Sequence, residues 1–490
     1  MKLNHTISNL IIALFFGTSF FQLQAQNLIS SAYLSSVSEA NLEAEYFFDF
    51  SSGVDLYRVL YTTPDVLGVL DTASGLLVVP DDPGFAYPLL VFQHGTVNDR
   101  WDVPSQLAGG YQLATVFGGQ GYATVAPDYV GLGEARGLHP YVHADTEASA
   151  AVDFLYAAKQ FADQNNFLQL NDQVFVTGYS QGGHAALAAH RALELDYSAD
   201  FTVTASAPMS GPYSISKKMI DFTLGDTPYG FVAYIAWTAL SYNLAYGNLF
   251  SNVDEFFKPN YATFVEQFRD EVITLGQLNA ELTAELINDV GAVTPKAMLQ
   301  PAILDAILND PSHPVSVALA DNDLHNWEPQ APTHLVYCTA DDQVFYQNAV
   351  FADSIMNANG APDVSAHDVN PTADHGGCVQ PAMIHTILFF NGLKEVTVAT
   401  RELTGSPDDP FLVAPNPVRD ELLIQKLTEI GTSSNVALYD VHGKLVRQSN
   451  WSNSDLLRLD VKDLNEGLYF LLIDADDGGR YSVKVLVGER

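Results

Sequence analysis

Basic residues are scarce in this chain: 22 Lys and Arg stand against 58 Asp and Glu, a formal net charge of −36. That imbalance argues against nucleic acid and anionic membrane surfaces as partners, because the protein's own field repels them. Its direct consequence is solubility. Cysteine is scarcer still. Cys338 and Cys378 are the only two, an even count that permits one disulfide in an exported chain. Metal signatures are missing: there is no H-E-x-x-H, no paired C-x-x-C and no calcium-loop spacing. A phosphate loop and a dinucleotide fingerprint are missing too. The expectation is an activity that needs neither metal nor cofactor.

Long apolar runs are nearly absent. Residues 10–21 form one such run, preceded by Lys2 and followed by Leu23-Gln24-Ala25. Its length suits a secretory signal and falls short of the roughly 20 residues of a membrane-spanning helix. Residues 1–25 are therefore expected to be a signal, with the mature chain starting near Gln26; an N-terminal anchor is the rival reading. Residues 227–253 carry no charge, but Gly230, Ser241, Asn243, Gly247 and Asn248 interrupt them. They read as a buried or lid segment, with no stable membrane span.

What is present divides in two. Thr404-Gly405-Ser406-Pro407-Asp408-Asp409-Pro410 is linker-like. Residues 411–490 hold 9 basic and 12 acidic residues, leaving 13 basic and 46 acidic in the first 410. Such different balances point to separate domains at about 26–405 and 411–490. In the first, apolar strands at 88–93, 122–126, 174–177, 201–207, 334–339 and 364–369 alternate with helical segments. Ala151, Phe154, Leu155, Ala158 and Phe161 can share one helix face. This is the pattern of an α/β fold with a mostly parallel sheet covered by helices on both faces. Residues 212–331 break the alternation and read as a helical cap insertion. The aromatics Tyr229, Phe231, Tyr234, Trp237, Tyr242 and Tyr246 would either line a lid or hold the cap together. In the tail, short strands at 436–439, 445–448, 468–473 and 481–487 surround turn signals at His442-Gly443 and Asp476-Asp477-Gly478-Gly479. They suggest a small all-β sandwich.

Gly178-Tyr179-Ser180-Gln181-Gly182 follows an apolar strand and opens a helix, the context that makes G-x-S-x-G a nucleophile elbow. A serine nucleophile needs a base, and the base needs an orienting acid. The chain order Ser, Asp, His places the acid at Asp341, with Asp342 as rival, on the loop after the strand at 334–339. The base is then His375, on the loop before the final helix. His184 lies on the serine's own helix and should point away, His385 lies inside the last helix, and His139 and His143 sit on an early loop. Oxyanion donors are expected at the backbone N–H of Gln181 and after the strand at 88–93, at Gly95 or Thr96, with Thr96 preferred. His94 reads as shaping that turn. Cys338 lies three residues before Asp341 and Cys378 three after His375. If acid and base meet, their loops are neighbours and a bridge becomes plausible; two unpaired thiols are the alternative.

Several motifs together resemble the secretory lipase family of α/β-hydrolases. They are Tyr57-Arg58-Val59-Leu60-Tyr61, Ser74-Gly75-Leu76-Leu77-Val78-Val79-Pro80, Pro127-Asp128-Tyr129-Val130-Gly131-Leu132-Gly133, His139-Pro140-Tyr141, Gly178 through His184, and Asp374-His375-Gly376-Gly377-Cys378. The resemblance spans roughly residues 50–395. It implies an α/β-hydrolase fold with a helical cap, lipase or esterase activity on small ester or lipid substrates, and a triad at Ser180, Asp341 and His375. The Asp341-Asp342-Gln343-Val344 run also resembles the prolyl oligopeptidase group, the alternative enzyme reading, although only about 60 residues of the mature chain are left for the gate such enzymes carry. A non-catalytic surface protein would leave the ordered Ser, Asp and His loops unexplained. The tail resembles the C-terminal sorting domain of type IX secretion, through Ala414-Pro415-Asn416-Pro417, Asp440-Val441-His442-Gly443-Lys444 and Leu464-Asn465-Glu466-Gly467-Leu468-Tyr469. This implies a partner in the secretion machinery and a secreted or cell-surface location. A carbohydrate- or protein-binding module is the rival. A chain ending near Ser406 is expected to keep its specific activity in soluble form yet stay inside the native host. Normal export without residues 411–490, measured in culture fractions, would contradict the sorting role.

Overall fold

The computed structural model describes residues 27–398 except Asn166, and 411–488 except 415, 417, 427–432, 442, 453–455 and 476–479. The expected signal at 1–25 with cleavage near Gln26, the linker at 404–410, and Pro415, Pro417, His442 and 476–479 of the tail motifs lie outside the described residues. The chain divides into two compact units, Met1–Val398 and Ala399–Arg490.

The first unit opens with β1 (Leu28–Val37), α1 (Glu39–Tyr46), β2 (Val54–Pro64) and β3 (Leu70–Pro80). It continues through β4 (Phe85–Gln93), α2 (Tyr111–Gly119), β5 (Ala123–Pro127), α3 (Ala144–Gln164), β6 (Gln169–Tyr179), α4 (Gln181–Leu195) and β7 (Thr202–Met209). The sheet order is β1-β2-β3-β5-β4-β6-β7-β8-β9, where β8 is Thr333–Tyr337 and β9 is Val364–Asp368. Strands β5, β4, β6, β7, β8 and β9 run parallel to their neighbours in that order, while β1, β2 and β3 are antiparallel. The central parallel strands are apolar where both faces are covered, as at residues 89–92 and 174–176, whereas the edge strand β9 carries Ser365, His367 and Asp368. Val91 and Val176 pack with Phe154, Leu155 and Phe161 of α3. The alternate residues Leu90, Phe92 and Phe175 pack on the other face with Phe117 of α2. The antiparallel strands at 28–37, 54–64 and 70–80 precede the first strand that the sequence alternation marks.

The cap leaves the sheet after Met209 and returns at Thr333. It holds α5 (Ile220–Thr223), α6 (Ala233–Tyr246), α7 (Pro259–Arg269), α8 (Leu275–Val290), α9 (Pro301–Asn309) and α10 (Pro314–Asp321). Its apolar cluster includes Trp237, Phe257, Tyr261, Leu278 and Leu282 and continues into Val97, Tyr129, Tyr141 and Ala185 of the sheet domain. Among the described residues no helix is long and apolar enough to cross a membrane. After β8 come α11 (Gln347–Asn359), β9, α12 (His375–Asn391) and β10 (Thr397–Val398), which pairs with β4.

The second unit is all-β. Strands β11 (Phe411–Ala414), β12 (Glu421–Lys426) and β15 (Leu456–Asp460) form one sheet. Strands β14 (Leu445–Ser452), β13 (Ser433–Asp440), β16 (Gly467–Ala475) and β17 (Arg480–Val487) form the other, in that order. Residues from both sheets, among them Ile424, Leu438, Leu471 and Val485, share one core, the arrangement of a sandwich. Trp451 is 2% exposed within that core, so it offers no binding platform.

Cys338, just past β8, is bonded to Cys378 in the first turns of α12, with Cα atoms 6.0 Å apart. Both residues are fully buried. The bond closes a loop of 40 residues, for which the chain-entropy model gives about 4 kcal/mol of stabilisation. Titration of the denatured, unreduced protein should find no free thiol. Replacing both cysteines by alanine should lower the melting temperature; an unchanged melting curve would remove the bond's structural role.

Candidate active site

The turn at Ser180 takes β6 directly into α4. Ser180 has φ 63° and ψ −123°, a conformation a side-chain-bearing residue holds only when its surroundings enforce it. The enforcement is visible. Its N–H donates to Met209 O at 3.0 Å, and its carbonyl accepts from Gly183 N at 2.8 Å. A Cβ at Gly182 would lie 2.0 Å from Gln93 O, and one at Gly178 would lie 2.3 Å from Gly182 O. Both positions therefore require glycine. The turn lifts the Ser180 hydroxyl off the sheet's carboxyl edge and sets it at the N-terminus of α4.

Two loops bring partners to it. Ser180 Oγ lies 2.9 Å from His375 Nε2, and His375 Nδ1 lies 2.7 Å from Asp341 Oδ2. Ser180, Asp341 and His375 are only 8%, 6% and 6% exposed, so the series is largely screened from water. Asp341 Oδ1 accepts from the backbone N–H groups of Gln343 and Val344, both at 2.9 Å, which fixes the carboxylate. Asp342 is exposed and takes a different place: its Oδ1 accepts from the backbone N–H of His375 at 3.2 Å. Tyr179 O–H donates to His375 O at 2.6 Å, tying the histidine's backbone to the serine turn. His375 is the first residue of α12 and not part of the loop before it. Asp374 caps that helix by accepting from Gly377 N at 2.8 Å.

The other histidines are occupied elsewhere. His184 Nδ1 contacts Glu147 Oε2 at 2.6 Å and its Nε2 contacts Asn322 O at 3.0 Å, both groups fully or nearly fully buried. His139 contacts Val130 O at 2.7 Å, and burial pushes it down to about 3, so it stays neutral. His143 contacts Thr146 Oγ1 at 3.1 Å and is also lowered by burial. His94 bridges Gly95 O and Asp128 O, at 2.7 and 3.3 Å, and so holds the loop after β4. His385 lies ten residues beyond His375 on α12, about 15 Å along the helix. It clusters with His334 and His367, a group that could hold a metal ion and that no sequence spacing reveals. Burial, then His367 and His385, lowers His334 to about 4.

Gln181 is the first residue of α4, so its N–H has no intrahelical acceptor. Its side chain turns into the protein: Nε2 donates to Glu147 Oε1 at 2.9 Å and lies 2.7 Å from His139 Nε2. Glu147 was legible only as part of a helix, because its partners Gln181 and His184 lie far along the chain. The loop after β4 passes over the turn. A Cβ at Gly95 would sit 3.2 Å from Tyr179 O and 3.6 Å from Ser180 Cβ. Thr96 Oγ1 is engaged with Tyr141 O–H at 2.8 Å. The loop carrying Tyr141 is in turn fastened by the cap: Trp237 stacks on Tyr141 with centroids 4.6 Å apart, and Trp237 Nε1 donates to His139 O at 3.2 Å. Above Ser180 a cavity of about 110 Å³ runs into the cap between Ile215, Met219, Tyr229, Leu249, Phe256 and Leu319. Tyr229, Tyr234 and Tyr242 line it, whereas Trp237 belongs to the cap's own core.

The tail matches the model of the secretion system C-terminal sorting domain over residues 412–488. This is a type IX sorting domain, and it directs the protein to the cell surface or beyond it. Among solved structures the chain is similar to the rice cell wall degrading esterase LipA from Xanthomonas oryzae. The identity is 27% and the TM-score 0.65, with 75% of this chain and 98% of that one covered. A putative hydrolase from Legionella pneumophila is 28% identical with a TM-score of 0.68, at the same coverage. Candida antarctica lipase A in its closed state shares the fold at 16% identity and a TM-score of 0.53, covering 74% of this chain and 82% of that one. No curated protein matches. A further family model covers residues 89–382, well over half the chain, and by that match this protein belongs to the alpha/beta hydrolase family.

Proposed function

We propose that this protein is an exported carboxylic ester hydrolase acting through an acyl-enzyme on Ser180, His375 and Asp341. The observation that carries the reading is the hydrogen-bonded series from Ser180 Oγ through His375 to Asp341 at the floor of an apolar cavity. Similarity to a cell wall degrading esterase supports ester chemistry in general.

In this reading Ser180 Oγ attacks the ester carbonyl while His375 Nε2 accepts its proton. Asp341 holds the imidazole through Nδ1–H and stabilises the imidazolium that forms. The oxyanion takes the Gln181 N–H and a donor from the Gly95-Thr96 loop, where a single donor is worth about 3–4 kcal/mol. His375 then returns the proton to the leaving alcohol, and water repeats the sequence to release the acid. The acyl group enters the cap cavity, whose lining is mostly apolar. Thr96 contributes its backbone in this scheme, since its hydroxyl is held by Tyr141.

Ser180→Ala should lower turnover of p-nitrophenyl esters by at least about 10⁴-fold while leaving the melting curve in place. Retention of a tenth of the activity would overturn the nucleophile. Asp341→Asn should reduce kcat by orders of magnitude, whereas Asp342→Asn removes only one acceptor for a backbone N–H and should cost far less. Equal losses in the two variants, measured side by side, would reject Asp341 as the orienting acid.

A further inference from the structure

We propose that His334, His367 and His385 form a binding site for a divalent late first-row transition ion, with zinc as the expected occupant. The three residues come from three elements. His334 is on β8, His367 on β9 and His385 on α12. The parallel register pairs His334 with Ser365 and Val336 with His367. Residues two apart on a strand share a face, so His334 and His367 stand on the same side of the sheet, where His385 meets them. Ring centroids are 4.2 Å apart for His334 and His367, 4.6 Å for His367 and His385, and 5.1 Å for His334 and His385.

One ring nitrogen from each residue lies within 4.8 Å of the others. His334 Nδ1 and His385 Nε2 are 3.0 Å apart. A tetrahedral zinc ion with Zn–N bonds of 2.0–2.1 Å holds its nitrogens about 3.3–3.4 Å apart. One pair already stands near that spacing, and the third nitrogen lies within 4.8 Å of both. The surroundings favour an ion. Ser365 Oγ lies 2.8 Å from His367 Nε2 and orients that ring, as the groups behind metal-bound histidines do. Phe389 stacks on His334 with centroids 3.6 Å apart and fixes its plane. The Asp353 carboxylate acts electrostatically on His367 and adds negative charge nearby. All three histidines are half-buried and so not sealed from solvent, and three protein ligands leave a tetrahedral ion one position for water. Three imidazoles suit zinc, copper or nickel and not calcium or magnesium.

The role is structural. The ion would join the sheet's last two strands to α12, the elements next to Asp341 and bearing His375, without touching the reacting groups.

The test uses the untagged mature chain, freed of metal with a chelator. Zinc competed against a chromophoric chelator should bind at one equivalent per chain and raise the melting temperature. Cobalt should give the visible d–d bands of a four-coordinate site with three imidazole ligands. His367→Asn and His385→Gln should each weaken zinc binding by at least about 10-fold, and should abolish both the cobalt bands and the melting shift. Ester turnover of either variant without metal should match the wild type. Either variant suffices if the other fails to fold. Absence of a one-equivalent site in the wild type, or equal zinc affinity in wild type and folded variant, would overturn the site.

Discussion

Beneath Ser180 two backbone segments pass with no room for a Cβ atom. Gln93 at the end of β4 lies against Gly182, and Gly182 lies against Gly178, so strand and helix can meet in a single-residue turn only there. The positive φ of Ser180 follows from that crowding. Its position relative to β4 also decides what can reach it. The loop after β4 must lie over the turn, and the loops after β8 and β9 must converge from the other side. Tyr179 and Asp342 then fasten the backbone of His375 from two directions, one through its carbonyl and one through its N–H. The hydroxyl is thus presented to the cavity by a strain that the neighbouring strands hold in place.

A buried polar layer supports the same turn from behind. Glu147 accepts from Gln181 and meets His184, both on α4, and His139 closes the series. Burying a carboxylate is costly unless it is paired and hydrogen-bonded. Here each Glu147 oxygen has a partner, and the arrangement locks the first turn of α4 in rotation. The side chain of Gln181 is drawn inward, while its backbone N–H, the first of α4, has no acceptor within the helix.

Much of this was legible in the sequence, and the reasons differ by residue. Ser180 announces itself because the elbow is local: strand, glycines and helix lie within a few residues. His375 and Asp341 are legible because strand ends in a parallel sheet deliver their loops to one edge. Choosing Asp341 over its neighbour depends on which carboxylate points inward, and that is set by the N–H groups of Gln343 and Val344. Glu147 was hidden because its partners lie elsewhere in the chain. The histidines at 334, 367 and 385 were hidden because no motif spacing links two strands and a helix. The first three strands escaped the alternation because they are antiparallel and need no crossover helices. In the tail the four strands of one sheet were readable from their alternation and turns, whereas the sheet of β11, β12 and β15 was not read.

The cap begins and ends at neighbours. It departs after β7 and rejoins at β8, and those two strands are already paired, with Ser206 opposite Thr333 and Met209 opposite Val336. The entropy of closing the excursion is therefore met by the sheet itself, and lengthening such a loop adds little further cost. Its apolar cluster takes in Val97, Tyr129, Tyr141 and Ala185 of the sheet domain, so it is away from that seam that the cap can be rebuilt or shortened without shifting the register that carries Ser180 and Asp341. Over evolutionary time, substrate range and chemical competence can then drift at different rates. A lineage can retailor what enters the chamber while inheriting the machinery beneath it unchanged.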